Sequence, residues 1–409
     1  MCWQWNTRRS SRRCDAASRK RPSASRASWY KRDVCTICGI VATILPRRGN
    51  VKYSLKRRAL QDGIDQLEQR RQIFQNLPLD PQHAEWFRHR AWVRTIHGTT
   101  RIEGNSLNAL EVEDVLTGAG SAFTRKDALE VLATREALGF VDEIAPKRNV
   151  AIDERLIRHV HALVLDDIDP LLTPGAYRRG PNAVGDAQGN VIFRTPSSGD
   201  VPPLMREFGS WLRRGHDKQP APVAAALAHL ELVAIHPFHD GNGRTARALA
   251  RLLLLRGGYA FDGLVSLDAY LDNDRRAYFD AIRDSAGIEY RPPYDATAFV
   301  EYFVRSIVGA ADFVLSRVKG LTLVLAALRR DVIAGRLPAR VQDGLVYAWV
   351  NGSLRPADYV RITSRTKQSA SRDLAAAVGA GYLVATGSTK SRRYRLGPRL
   401  AEIGPVPIA

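Results

Sequence analysis

Residues 221–259 read APVAAALAHLELVAIHPFHDGNGRTARALARLLLLRGGY, two apolar runs on either side of a polar, glycine-bearing loop. The first run sets Val223, Ala226, Leu227, Leu230 and Val233 at helical spacing. The second does the same with Ala248, Leu249, Leu252, Leu253 and Leu255, so the stretch predicts helix, loop, helix. Pro237 cannot lie inside a continuing helix, and Gly241-Asn242-Gly243 lets backbone N–H groups turn toward one point just before the second helix begins. Free N–H groups at a helix N-terminus suit a phosphate, and Arg244 and Arg247 add two guanidiniums about one turn apart. His236 and Asp240 bring one imidazole and one carboxylate to the same loop. A neutral histidine can take a proton from an attacking hydroxyl, and a hard oxygen ligand can hold Mg²⁺ against substrate phosphates.

The segment from His236 to Arg247, HPFHDGNGRTAR, resembles the HPFx(D/E)GNGRxxR signature of the Fic family at every fixed position. The competing reading is a buried helix–turn–helix whose histidine is a satisfied core residue. The resemblance covers roughly residues 85–290 and implies a mainly α fold, a Fic-type helical domain with a small β-hairpin flap. It implies transfer of AMP from ATP to a Tyr, Thr or Ser hydroxyl of a target protein. In that reading His236 is the general base, Asp240 holds Mg²⁺, and Gly241, Asn242, Gly243 and Arg244 cradle phosphate. Arg247 binds the γ-phosphate, Phe238 anchors the loop in the core, and His239 is a bystander.

Upstream, Thr99 to Asn105 reads TTRIEGN and resembles the (S/T)xxxE(G/N) inhibitory motif of the Fic class whose regulatory helix precedes the core. Thr99 and Glu103 stand four apart on a helix and Gly104 breaks it, so Glu103 projects at a helix end, where Arg247 could meet its charge. A surface glutamate at a helix terminus is the alternative. Residues 184–194, VGDAQGNVIFR, predict a β-hairpin at the place of the family's flap, against the alternative of a plain surface loop. Tyr270 and the run Asn273 to Ile282 resemble the helix that closes the family's nucleotide pocket. His159 and His161 read as packing or surface residues.

At 409 residues and 45% hydrophobic content the chain can bury a sizeable core. The net charge of +19 is concentrated at the ends: residues 1–50 hold twelve Lys or Arg against two Asp, and residues 353–400 hold ten against two. That pattern points to a polyanion at the ends and not at the central loop. Residues 1–50 read as a disordered basic tail, and with no Met between Met1 and Met205 a native start near Val51 is an expectation. Cys2, Cys14, Cys35 and Cys38 all lie in that tail, which fits a reducing, cytoplasmic setting; Cys35 and Cys38 have the spacing of half a zinc site with no second half following. Residues 35–45 are apolar but too short to span a bilayer, so no membrane segment is expected.

Residues 335–400 read as helix, helix, helix, hairpin, which resembles a winged helix–turn–helix serving either DNA or protein contact. Thr363 or Ser364 is expected to cap the third helix, with Arg365, Lys367, Gln368 and Arg372 on its exposed side and Lys390, Arg392 and Arg393 on the wing, all suited to duplex DNA. The expected division is a tail (1–50), an N-terminal helical region with the inhibitory motif (51–150), a catalytic domain (151–320) and the winged unit (335–400). Expected partners are a hydroxyl-bearing protein, double-stranded DNA and a second copy of the chain as a homodimer. The rival functions are a relative with another donor nucleotide, phosphotransfer, removal of AMP, and a nucleotide-sensing DNA-binding regulator.

Overall fold

The computed structural model describes residues 53–403 except 119–123, 170–172, 186–189 and 389–391. The tail with its four cysteines, and Lys390 on the wing, lie outside the described residues. In chain order come β1 (Tyr53–Ser54), α1 (Arg57–Gln75), α2 (Pro81–Ile102), α3 (Ala109–Thr117), α4 (Arg125–Ile144), α5 (Glu154–Val164), β2 (Ala183–Gly185), β3 (Val191–Arg194) and α6 (Val201–Arg214). There follow α7 (Ala221–Ile235), α8 (Asn242–Arg256), α9 (Leu267–Asn273), α10 (Arg275–Ala286), β4 (Tyr294–Asp295), α11 (Thr297–Ile333), α12 (Gln342–Asn351), β5 (Ser353–Leu354), α13 (Pro356–Thr363), α14 (Lys367–Gly379), β6 (Leu383–Thr386) and β7 (Arg393–Leu396). The fold is mainly α, as expected. No described helix is long and apolar enough to cross a membrane.

The centre is α7 against α8. Spacing alone assigns α7 one apolar face, yet every residue from Pro222 to Ile235 except Val233 is buried. The small side chains Ala224, Ala225, Ala226 and Ala228 explain the difference, because they let neighbouring helices close on it from several sides. Helices α4 and α5 cover α8, while α6, α10 and α11 pack on α7. One apolar core runs from Leu60 to Leu400. The expected division at residue 320 falls inside α11, which continues unbroken to Ile333 and joins the C-terminal unit.

Helix α2 begins with Asp80 accepting from the N–H groups of Gln82 and His83, and with Pro81 in its first turn, a well-formed N-terminus. Near its far end Gly98 lies flat against the start of α9: a Cβ there would stand 2.6 Å from Ala269 N and 2.7 Å from Asp268 O. Any larger residue would push the two helices apart.

In the C-terminal unit α12, α13 and α14 pack with a three-stranded antiparallel sheet ordered β5-β7-β6. Strand β5 is an addition to the predicted order. The cap of α14 is Thr366, whose hydroxyl accepts from Ser369 N; Thr363 instead donates to Tyr359 O within α13, and Ser364 ends that helix with φ 53°. Lys367, Gln368 and Arg372 are exposed on α14. Arg365 precedes the helix and lies 3.5 Å from Asp373, while Arg393, expected on the exposed side of the hairpin, instead turns onto Asp114, with Glu113 at 3.8 Å. Arg393 therefore ties the unit to α3 and leaves the exposed basic set.

Candidate active site

Helix α7 ends at His236, whose φ of 51° and ψ of 58° place a non-glycine residue in the left-handed region. That turn swings the imidazole out of the helix axis toward the start of α8. His236 Nδ1 lies 3.2 Å from Val233 O, which assigns the ring proton to Nδ1 and leaves the Nε2 lone pair available. Burial lowers its pKa, more than the Val233 carbonyl and the nearby Glu103 and Asp240 raise it. The ring is thus neutral near pH 7, the form a general base requires.

The loop that follows is held by side chains from three directions. Asn242 Oδ1 accepts from Phe238 N at 3.0 Å and its Nδ2 donates to Phe238 O at 3.0 Å, so its amide braces the loop from within. Phe238 is fully buried and stacks on His161, centroids 3.6 Å apart. His161 Nε2 donates to Asp240 O at 2.9 Å while its Nδ1 accepts from Gly175 N at 2.8 Å. Burial pushes the His161 pKa down to about 4. Arg178, also buried, donates from Nε to His236 O at 2.8 Å, from Nη1 to Gly180 O at 3.1 Å and from Nη2 to Pro196 O at 2.6 Å.

His161 and Arg178 are the positioning residues the sequence reading missed. Their distance from the loop, 79 and 58 positions, hides them; the glycine-rich break from Pro174 to Gly180 was the one available signal.

The start of α8 has backbone geometry that fits an anion. Gly241 adopts φ 73°, where a larger residue would be strained, and a Cβ there would crowd Leu165 and Val164 at 3.2 and 3.3 Å; the first N–H groups of α8 have no acceptor within the helix. Arg244 is 3% exposed; one Nη contacts Asp240 at 3.4 Å, while its Nε and other Nη find no partner among the described residues. Two orphaned donors on a buried guanidinium leave it able to take an oxyanion.

Glu103 reaches that place from α2. Its Oε1 lies 2.7 Å from Arg247 Nη2, and a Cβ on Gly243 would stand 2.1 Å from the same oxygen. The carboxylate therefore rests on the second residue of α8, at the mouth of the nest. Arg247 is further fixed by Thr99, whose hydroxyl accepts from Nε at 2.7 Å and whose carbonyl accepts from Nη2 at 2.9 Å, by Tyr278 OH at 3.4 Å, and by Asp268 at 3.6 Å. Burial disfavours its charge, but Glu103, Tyr278 and Asp268 together raise its pKa. Behind it Tyr278 OH meets the buried His229 Nε2 at 2.8 Å. Tyr278 belongs to the run expected to close the nucleotide pocket; Tyr270, named with it, faces a different cavity.

Residues 183–185 and 191–194 pair antiparallel as expected of the flap; the connecting residues 186–189 lie outside the described residues. Asn182 Nδ2 donates to Phe238 O at 3.4 Å, which ties the hairpin's base to the loop between α7 and α8, and Val191 and Ile192 are exposed.

For Mg²⁺ the loop offers Asp240, 45% exposed, and no group of three or more His, Cys, Asp or Glu suited to a metal occurs among the described residues. One carboxylate beside an oxyanion site is the donor set Mg²⁺ accepts when phosphates and water supply the rest.

Comparison with known proteins follows the same geometry. Residues 151–254 match the Fic/DOC family model. This chain carries a Fic domain. It is 32% identical over 202 residues to the protein adenylyltransferase Fic of Aedes aegypti, covering 49% of this chain and 39% of that protein. With the protein adenylyltransferase Fic of Drosophila ananassae it shares 36% over 173 residues, covering 41% and 33%. The chain thus spans between about a third and two fifths of the length of these curated relatives. Among solved structures, a Fic family protein from Desulfovibrio desulfuricans aligns over 83% of this chain and 96% of its own, at 21% identity and a TM-score of 0.55. A Fic domain containing signaling protein from Bacteroides thetaiotaomicron aligns over 63% and 97%, at 25% identity and a TM-score of 0.54.

Proposed function

We propose that the Fic domain transfers AMP from ATP to a hydroxyl side chain of a target protein, and that Glu103 restrains it. The observation that carries this reading is the Glu103 carboxylate seated on Gly243 and paired with Arg247: an internal anion at the place built for a phosphate. The relatives' names support the donor and the reaction class. His236 Nε2 takes the proton of the incoming hydroxyl as its oxygen attacks the α-phosphorus; pyrophosphate leaves in line. Arg244 and the N–H groups at the start of α8 bind and orient the phosphates, and Arg247, released from Glu103, fixes the far end of the chain of phosphates. Mg²⁺ held by Asp240 supplies charge neutralisation of those phosphates when bound. Incubation with α-labelled and γ-labelled ATP tests the reading: label on protein from the α position supports it, while label from the γ position, or none with the Glu103→Gly variant, replaces it with phosphotransfer or nucleotide sensing.

A second role, binding of duplex DNA by residues 335–400 read as a winged helix, is supported by Lys367, Gln368 and Arg372 exposed along the first half of α14, with Arg392 half-buried near Lys367.

A further inference from the structure

A guanidinium only donates, and the acceptors around Arg247 divide by helix. Thr99 Oγ1, Thr99 O and Glu103 Oε1, at 2.7, 2.9 and 2.7 Å, all belong to α2 or to the residue that ends it. Among the described residues one hydrogen-bond acceptor comes from elsewhere, Tyr278 OH on α10, 3.4 Å from Nη1. If the end of α2 withdraws, Tyr278 is left to aim that side of the guanidinium, with Asp268 3.6 Å from Nε as a counter-charge.

A phenol carries one proton. While Arg247 Nη1 donates into the phenol oxygen, that proton has to go to another acceptor, and His229 Nε2 on α7 stands 2.8 Å away. The donors thus run in one direction, from Arg247 to Tyr278 to His229. That direction assigns the histidine tautomer, with Nε2 bare and the ring proton on Nδ1. Burial and then Arg247 bring the His229 pKa down to about 3, and burial pushes the Tyr278 phenol up to about 12, so both groups are neutral near pH 7. Phe299 stacks on the imidazole with centroids 5.1 Å apart, and Phe303 lies at 6.1 Å, so α11 holds the ring in its plane. The Nδ1 proton has no acceptor among the described residues. A buried N–H without a partner costs stability, and an apolar side chain would fill the same space beside the phenylalanines without that cost. Packing alone does not account for a histidine here.

We propose that His229 is a positioning residue for the phosphate end of the nucleotide: by taking the Tyr278 proton it keeps a lone pair of the phenol turned to Arg247, and so holds the guanidinium aimed at the nest whether or not Glu103 occupies it. The proposal rests on the reading of Arg247 as the residue that fixes the last phosphate of ATP. His229 acts through two side chains and not on the nucleotide itself. Without its acceptor the phenol proton must turn elsewhere, and the oxygen no longer offers Arg247 a fixed partner.

The test is calorimetric binding of ATP and of ADP, with Mg²⁺, to the full chain in a Glu103→Gly background, where the nest is open. His229→Leu is expected to weaken ATP by about tenfold and to leave ADP, which lacks the last phosphate, within about twofold. His229→Gln, whose side-chain oxygen accepts the phenol proton, should recover most of the ATP affinity. Tyr278→Phe keeps the ring and removes the hydroxyl; it should match His229→Leu, and it carries the test if that variant does not fold. Added to Arg247→Ala, His229→Leu should cost nothing further. Equal losses for ATP and ADP, no recovery with glutamine, or a full additional loss in the Arg247→Ala protein would each overturn the proposal and make His229 a core residue. An Arg247→Ala that weakens ATP beside His229→Leu and Tyr278→Phe variants that do not would sink the proposal alone. An Arg247→Ala that binds ATP unchanged would sink the reading of Arg247, and the proposal with it.

Discussion

Arg247 and Glu103 meet at 2.7 Å across 144 positions of chain, and the carboxylate reaches the guanidinium over a glycine whose Cβ, if it had one, would collide with it. The pairing joins a helix outside the matched domain to the anion-binding start of α8, so loss of Glu103 should free Arg247 without dismantling the nest.

Glu103→Gly is expected to raise label transfer from α-labelled ATP by about tenfold or more, which corresponds to roughly 1.4 kcal/mol or more of transition-state stabilisation regained. Arg247 keeps Thr99, Asp268 and Tyr278, so the variant should fold. Initial rates for wild type, Glu103→Gly and Glu103→Gly/Arg247→Ala check this. A single variant no faster than wild type would show that α2 is not the brake.

His236→Ala is expected to lower transfer by roughly two powers of ten or more while ATP binding persists, since the nest donors are untouched. Because burial lowers the His236 pKa, the base form survives to more acidic pH than for an ordinary histidine. The acidic limb of the rate profile should have its midpoint below pH ~6.5. A midpoint above that value assigns the limb to another group.

His161 is neutral in the folded protein down to about pH 4, whereas the unfolded chain protonates it near pH ~6.5. Its contribution is therefore complete above the unfolded value and lost as pH falls from there toward 4, with a slope approaching 1.4 kcal/mol per pH unit. His161→Gln, whose amide can still donate to Asp240 O and accept from Gly175 N, should lessen that slope. Urea unfolding at pH 7 and pH 5 measures it; parallel losses in the two proteins would refute the assignment.

Lys367→Ala and Arg372→Ala should each reduce the salt slope of duplex DNA binding by about one. Arg393→Ala should leave that slope unchanged and lower Tm, because its partners are Asp114 and Glu113 on α3. If Arg393→Ala alone weakens DNA binding, the wing faces outward on DNA and the ion pair yields.

The loop and the glutamate that reaches it were legible because each is written in nearby residues: twelve positions from His236 to Arg247, running from the loop into the first turns of α8, and Thr99 and Glu103 one helical turn apart. Their meeting was read from charge and resemblance together. Less legible were parts that depend on tertiary neighbours. His161 looks like any apolar-face histidine until Phe238 and Gly175 surround it, and Arg178 looks exposed until three carbonyls claim it. The cap of α14 was placed two to three residues early because Thr363, Ser364 and Thr366 are equal candidates on paper, and Ser364 is the one that turns left-handed. Arg393 was read as wing surface because a strand's alternation does not reveal that another helix covers one side.

The contact between Glu103 and Gly243 also carries a rule of inheritance. While the carboxylate rests where a Cβ would stand, an alanine at position 243 must push the flexible end of Glu103 aside, and with it the pairing to Arg247. A side chain at 243 is therefore expected to go together with a displaced or absent carboxylate at 103, whichever of the two positions changes first.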